Sequence, residues 1–132
     1  MRILIVEDDF TSRRMLQLML APYGQCDIAV DGIEAVNVFE QALKNGVPYQ
    51  LVCLDIMMPK MDGQQALKAM RSLEKDMGVD PRNETKMIMT TCLDSPKEVI
   101  EAYYHGGCTS YLVKPIEKSK LINELKELQL IP

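Results

Sequence analysis

The sequence predicts an α/β fold, a five-stranded parallel sheet with helices on both faces. Three observations carry this prediction. Short apolar runs alternate with longer amphipathic stretches along the 132 residues. The apolar runs close on polar or charged residues, namely Glu7-Asp8-Asp9, Asp55, Thr90-Thr91 and Lys114-Pro115. The amphipathic stretches begin and end at cap and breaker residues. Alternation of strand and helix along one chain implies right-handed crossovers between parallel strands.

Each element has a local reason. A strand is expected over 2–7, where an apolar run ends in acid. A helix over 10–21 follows, stopped by Pro22 and Gly24. The second strand covers 26–30, and Asp31 then caps a helix over 32–45 that Gly46 ends. The third strand, 49–54, delivers Asp55 at its tip; a Met-Pro turn and Asp62-Gly63 lead into a helix over 63–76. The polar stretch 76–86, with Gly78 and Pro81, reads as a loop before a strand over 86–91. Ser95-Pro96 reads as cap and first position of a helix over 96–105, ended by Gly106-Gly107. The last strand covers 109–113, and the last helix, 117–129, carries Leu121, Ile122, Leu125 and Leu128 in one apolar stripe.

Composition narrows the function classes. The length suits one domain with one core, spanning 1–132. A hydrophobic content of 47% and a charged content of 26% are ordinary for a globular domain. A net charge of −4 without a basic run argues against a nucleic-acid binder. No run approaches the roughly 20 apolar residues of a membrane span. The amino terminus meets Glu7 and Asp8 too early for a signal peptide, so a cytoplasmic location is expected. The four cysteines, Cys26, Cys53, Cys92 and Cys108, lack CxxC spacing and read as reduced residues in or near the core. His105 is the only histidine, which argues against a His-based metal site.

The strand ends carry the chemistry. A charge such as Asp55 at the tip of an apolar strand is costly unless it meets a cation or hydrogen-bond donors. The other strand ends supply an acid pair, Asp8-Asp9, a hydroxyl, Thr91, and an amine, Lys114. Clustered carboxylates suit a hard cation such as Mg²⁺. A lysine suits phosphate or a carboxylate as a point charge. A metal-assisted carboxylate can act as a nucleophile towards a phosphoryl group.

The ordered set of Asp8-Asp9, Asp55 with the tail Met58-Pro59-Lys60-Met61-Asp62-Gly63, Thr91, Tyr111 and Lys114-Pro115 resembles the receiver domain of bacterial two-component response regulators. The resemblance covers residue 2 to about 130. It implies a doubly wound, flavodoxin-like sheet in the order 2-1-3-4-5, with the site at the switch point between the first and third strands. It implies that Asp55 is the phosphoacceptor. Asp9, Asp55 and the Met57 backbone carbonyl would then ligate Mg²⁺ directly, with Mn²⁺ as a substitute, and Asp8 would act mainly through water. A cis Lys114-Pro115 bond would aim the amine inward. Thr91 would be the switch hydroxyl, with Thr90 on the other face by strand alternation, and Tyr111 the aromatic switch. Met57 and Leu93 would border the phosphoryl group.

The resemblance further implies a signalling switch rather than a dedicated enzyme. Its partners would be a sensor histidine kinase or a histidine phosphotransfer protein, docking on the face of the first helix, and a downstream protein reached through the 96–105 helix, the last strand and the last helix. Neither nucleic acid nor membrane is expected as a partner. The chain ends just past the last helix, so output by protein contact or phosphate relay is expected. The alternative is the same module cut from a longer transcription factor or enzyme. Two rival folds fit poorly. A haloacid-dehalogenase-like phosphatase would need a second acid where Met57 stands. A flavodoxin would need a phosphate loop where Glu7-Asp8-Asp9-Phe10 stands.

Overall fold

A computed structural model describes residues 1–58, 60–92, 97, 101 and 107–132. Its strands are β1 (Arg2–Val6), β2 (Gln25–Ala29), β3 (Leu51–Asp55), β4 (Lys86–Thr91) and β5 (Ser110–Val113). Its helices are α1 (Phe10–Leu20), α2 (Gly32–Lys44), α3 (Gly63–Asp76) and α4 (Lys118–Glu127). The expected 96–105 helix falls largely outside the described residues. All four strand pairings are parallel and the order is β2-β1-β3-β4-β5, as the resemblance implied.

Both sheet faces are covered, which is why the strands read as continuous apolar runs. Ile3, Ile5, Leu51, Cys53 and Ile88 pack with Leu16 and Leu20 of α1 and Leu121 and Leu125 of α4. Leu4, Val6, Val52, Leu54, Met87 and Met89 point the other way, onto Phe39 of α2 and Ala66, Leu67 and Met70 of α3. The observed strands and helices lie within two residues of the expected ones. Among the described residues, no helix is long and apolar enough to cross a membrane.

Three aspartates start the three long helices that flank the site. Asp9 accepts from the Ser12 N–H at 2.8 Å, Asp31 from the Glu34 N–H at 2.8 Å, and Asp62 from the Gln65 N–H at 2.9 Å. Gln65 reaches back to the Asp62 N–H, completing a capping box. Gly63 lets α3 begin hard against the end of β3, because a Cβ there would lie 2.2 Å from the Asp55 carbonyl oxygen.

The opposite end of the sheet is pinned by Arg71. Its guanidinium donates to Glu74 at 2.7 Å, to the Thr85 carbonyl at 2.9 Å and to the Gly107 carbonyl at 2.9 Å. Glu74 is 2% exposed and also accepts from the Thr85 N–H at 2.8 Å. This network ties α3 to the start of β4 and to the segment leading into β5. The 76–86 stretch is a loop as expected, broken by a single 3₁₀ turn at Pro81–Asn83. It lies at the amino ends of the strands, away from Asp55.

Removing one partner of a buried pair leaves the other charge uncompensated, at roughly 3–5 kcal/mol. Urea denaturation of Arg71→Met is expected to show a loss of about that size. Lys68→Met, which removes only the exposed pair with Glu101, should lose at most about 1 kcal/mol.

Candidate functional site

Three carboxylates meet at the carboxyl end of the sheet. Glu7 follows β1 and is fully buried, Asp8 is exposed, and Asp55 ends β3 at 4% exposure. One oxygen from each lies within 4.8 Å of the others. Lys114, just past β5, closes the cluster: its ammonium donates to Glu7 Oε1 at 2.6 Å and sits 3.2 Å from Asp55 Oδ2. The Lys114-Pro115 bond is cis. Asp55 Oδ1 accepts from the Met57 N–H at 3.2 Å, so backbone fixes the carboxylate from the other side. Glu7 accepts from the Asp9 N–H at 3.2 Å, and Arg13 braces the turn by donating to the Glu7 carbonyl at 3.0 Å.

Burial pushes the Glu7 carboxyl above its ordinary 4.5; the Lys114 and Asp9 hydrogen bonds pull it back only in part, and the Asp55 charge adds to the push. Burial alone would lower Lys114, but the hydrogen bond to Glu7 and the charge of Asp55 outweigh it and hold the ammonium above 10.5.

The structure brings Asp8, Asp55 and Lys114 together, as the sequence reading expected. It corrects that reading in two places. Asp9, expected to ligate metal directly, is not in the cluster. Its carboxylate turns outward to cap α1, and the Ser12 backbone N–H holds its pKa below the ordinary value. Glu7 takes the inner position instead. The physical reason is where the chain leaves the sheet: Glu7 still pairs with β2, its N–H donating to the Ala29 carbonyl at 3.1 Å, whereas by Asp9 the chain has turned into the start of α1. Ile3, Ile5 and Glu7 share the face of Cys53 and Asp55, since Ile5 pairs with Cys53.

The second correction concerns only which face each threonine occupies. Asp55 pairs with Thr90, so Thr90, not Thr91, shares its face. Thr91 pairs with Val113 on the α2–α3 side, is 2% exposed, and its hydroxyl donates to the Cys92 carbonyl at 3.3 Å. Tyr111 pairs with Met89 and is 39% exposed. Met57 is 63% exposed beside Asp55, while Leu93 lies outside the described residues. The sequence reading passed over Glu7. Its signal was the alternation itself, readable only once the pairing of β1 with β3 is known.

Residues 3–126 match the family model of the response regulator receiver domain, and the chain belongs to that family. The chemotaxis protein CheY of Treponema pallidum is 31% identical over 94% of this chain and 79% of its own length. The transcription factor prr1 of Schizosaccharomyces pombe is 34% identical over 96% of this chain, but the chain spans only 21% of that protein. Among solved structures, the CheX-CheY-BeF3-Mg²⁺ complex of Borrelia burgdorferi superposes with a TM-score of 0.81 at 26% identity, covering 97% of this chain and 88% of that one. The chain is thus a receiver domain of two-component signalling. Its all-oxygen, three-carboxylate donor set fits a hard divalent cation of the Mg²⁺ kind.

The Lys114–Glu7 pair makes a pH prediction. Glu7 is raised, so between 4.5 and its folded value the native state holds a proton that the unfolded chain has released. Stability contributed by Glu7 therefore falls as pH rises through that window. Lys114→Met raises Glu7 further and widens the window. Measured metal-free by chemical denaturation, the variant's deficit against the parent should be small near pH 5 and grow towards pH 8, reaching about 3–5 kcal/mol if Glu7 stays ionised and less if it protonates.

Proposed function

We propose that this chain is a phosphorylation-dependent signalling switch whose acceptor is Asp55. The observation that carries the reading is the Asp55 carboxylate itself. It is nearly buried at the end of a central strand, held by Lys114 and the Met57 N–H, and faced by two further acids. An Asp55 oxygen attacks the phosphorus of a phosphohistidine on a histidine kinase or phosphotransfer protein. The new O–P bond forms as the P–N bond to the imidazole breaks, and the imidazole leaves neutral because its other ring nitrogen already carries a proton. Lys114 neutralises charge on the incoming phosphoryl oxygens. Asp8, Asp55 and the Met57 carbonyl would hold Mg²⁺, with the Glu7 carboxylate beside them adding negative charge. Bound there, such a cation would supply the charge neutralisation that lets two anions approach.

The acyl phosphate carries about −1.5 to −2 charge. Thr91, at the end of β4, then swings its hydroxyl from the Cys92 carbonyl towards that charge. Tyr111 follows, and the surface of β5 and α4 changes for a downstream protein. The apolar side chains of Phe10 and Leu18, 70% and 59% exposed on α1, are the expected kinase-docking face. A second reading keeps the same chemistry but places the module within a longer polypeptide. The small share of prr1 that the chain covers favours it.

Two predictions follow from the acceptor reading. With acetyl phosphate and Mg²⁺, the parent should become phosphorylated at Asp55, read by intact mass and peptide mapping. Asp55→Asn should take up no label at that peptide; equal labelling of the variant would refute the assignment. The second separates the two exposed aspartates. Asp8→Ala should weaken Mg²⁺ binding by at least about tenfold, because Mg²⁺ has few protein ligands to spare. Asp9→Ala should leave Mg²⁺ affinity within about threefold while lowering thermal stability through the lost helix cap.

A further inference from the structure

One buried polar group beside the site lacks a hydrogen-bond partner among the described residues, the hydroxyl of Thr90, which is 1% exposed. Thr90 pairs with Asp55 on one side and with Leu112 on the other. Paired residues of neighbouring parallel strands present side chains on one face. Lys114, two residues past Leu112, belongs to that face too.

The path of Lys114 matters here. Its backbone N–H donates to the Thr91 carbonyl at 2.7 Å, while its ammonium reaches Asp55 and Glu7 on the far side of β4. The stem therefore crosses the end of β4, the strand on which Thr90 stands between its pairing partners Asp55 and Leu112. An ammonium has three donors. Glu7 and Asp55 engage two of them. A buried hydroxyl without a partner is costly, and a valine of the same shape would avoid that cost. The cost is offset if the hydroxyl is bonded in another state of the site. Both present partners of Lys114 are groups that cation binding and phosphoryl transfer draw upon.

We propose that Thr90 is a positioning residue that acts through Lys114. Its hydroxyl accepts a hydrogen bond from the ammonium when Glu7 or Asp55 is drawn away, and so keeps the amine over the acceptor. The proposal rests on the phosphoacceptor reading. Thr90 and Thr91 then have separate tasks on opposite faces of β4.

The test compares the parent with Thr90→Val and Thr90→Ser. Thermal unfolding is measured without metal, and the rate of phosphate uptake on Asp55 is measured with Mg²⁺ and acetyl phosphate. The valine variant should unfold at the same or a higher temperature, yet accept phosphate about 3- to 10-fold more slowly, the size of one hydrogen bond. Serine should restore the rate. In a Lys114→Ala background, Thr90→Val should make no further difference, the signature of action through one group. Three results would overturn the proposal: uptake by the valine variant equal to the parent, a lower unfolding temperature for that variant, or a full valine effect without Lys114. An unlabelled parent would remove the acceptor reading and this proposal with it. A labelled parent with an indifferent valine variant removes Thr90 alone.

Discussion

The site depends on one ammonium. Lys114 bridges Glu7 and Asp55, two carboxylates that would otherwise repel each other in a place with little water. Much of the fold serves to bring that amine across the sheet. β5 and β3 are separated by β4, so the long lysine stem is needed to reach the acids. Arg71 anchors the other end of β5 through Gly107, and Gly63 lets α3 close in behind Asp55.

The same bridge leaves the cluster incompletely compensated. One cation faces three carboxylates, and Glu7 is pushed above its ordinary pKa although it holds the shortest contact to Lys114. A divalent cation is the natural complement of such a cluster, because it adds the missing positive charge where the oxygens already converge. Binding of the cation and of a phosphoryl group are then linked through shared ligands. Each shifts the arrangement of the strand ends only by as much as it interacts differently with the two states. Thr91 ends β4 with its hydroxyl donating to its own neighbour's carbonyl, and the proposed switch would exchange that bond for one to the phosphoryl group.

The sheet, its order and most element boundaries were legible in the sequence because the signals are local or periodic. The apolar runs, the cap aspartate Asp31, the Asp62-Gly63 turn and the breakers Gly24 and Gly46 each act within a few residues. Asp55 and Lys114 were legible because a lone charge closing an apolar run is conspicuous. The inner arrangement was not. Glu7, Asp8 and Asp9 are three acids in a row, and only the pairing of β1 with β3 decides which faces Asp55. Asp9 has the additional option of capping α1, and the first turn of that helix takes it. The register of β4 likewise decides which of Thr90 and Thr91 shares a face with Asp55. Register between distant strands is a tertiary property, and a shift of one residue moves every side chain to the other face.

The central claim is that Glu7, Asp8 and Asp55 form an electrostatically undercompensated cation site. Thermal unfolding across a Mg²⁺ titration tests it most directly, since a ligand that binds only the native state stabilises it by RT ln(1 + [L]/Kd), about 2.7 kcal/mol at 100 times Kd. The account predicts that the unfolding temperature rises with Mg²⁺ along that curve in the parent and not in Asp8→Ala. An unfolding temperature independent of Mg²⁺ in the parent, or an equal rise in the variant, would contradict it.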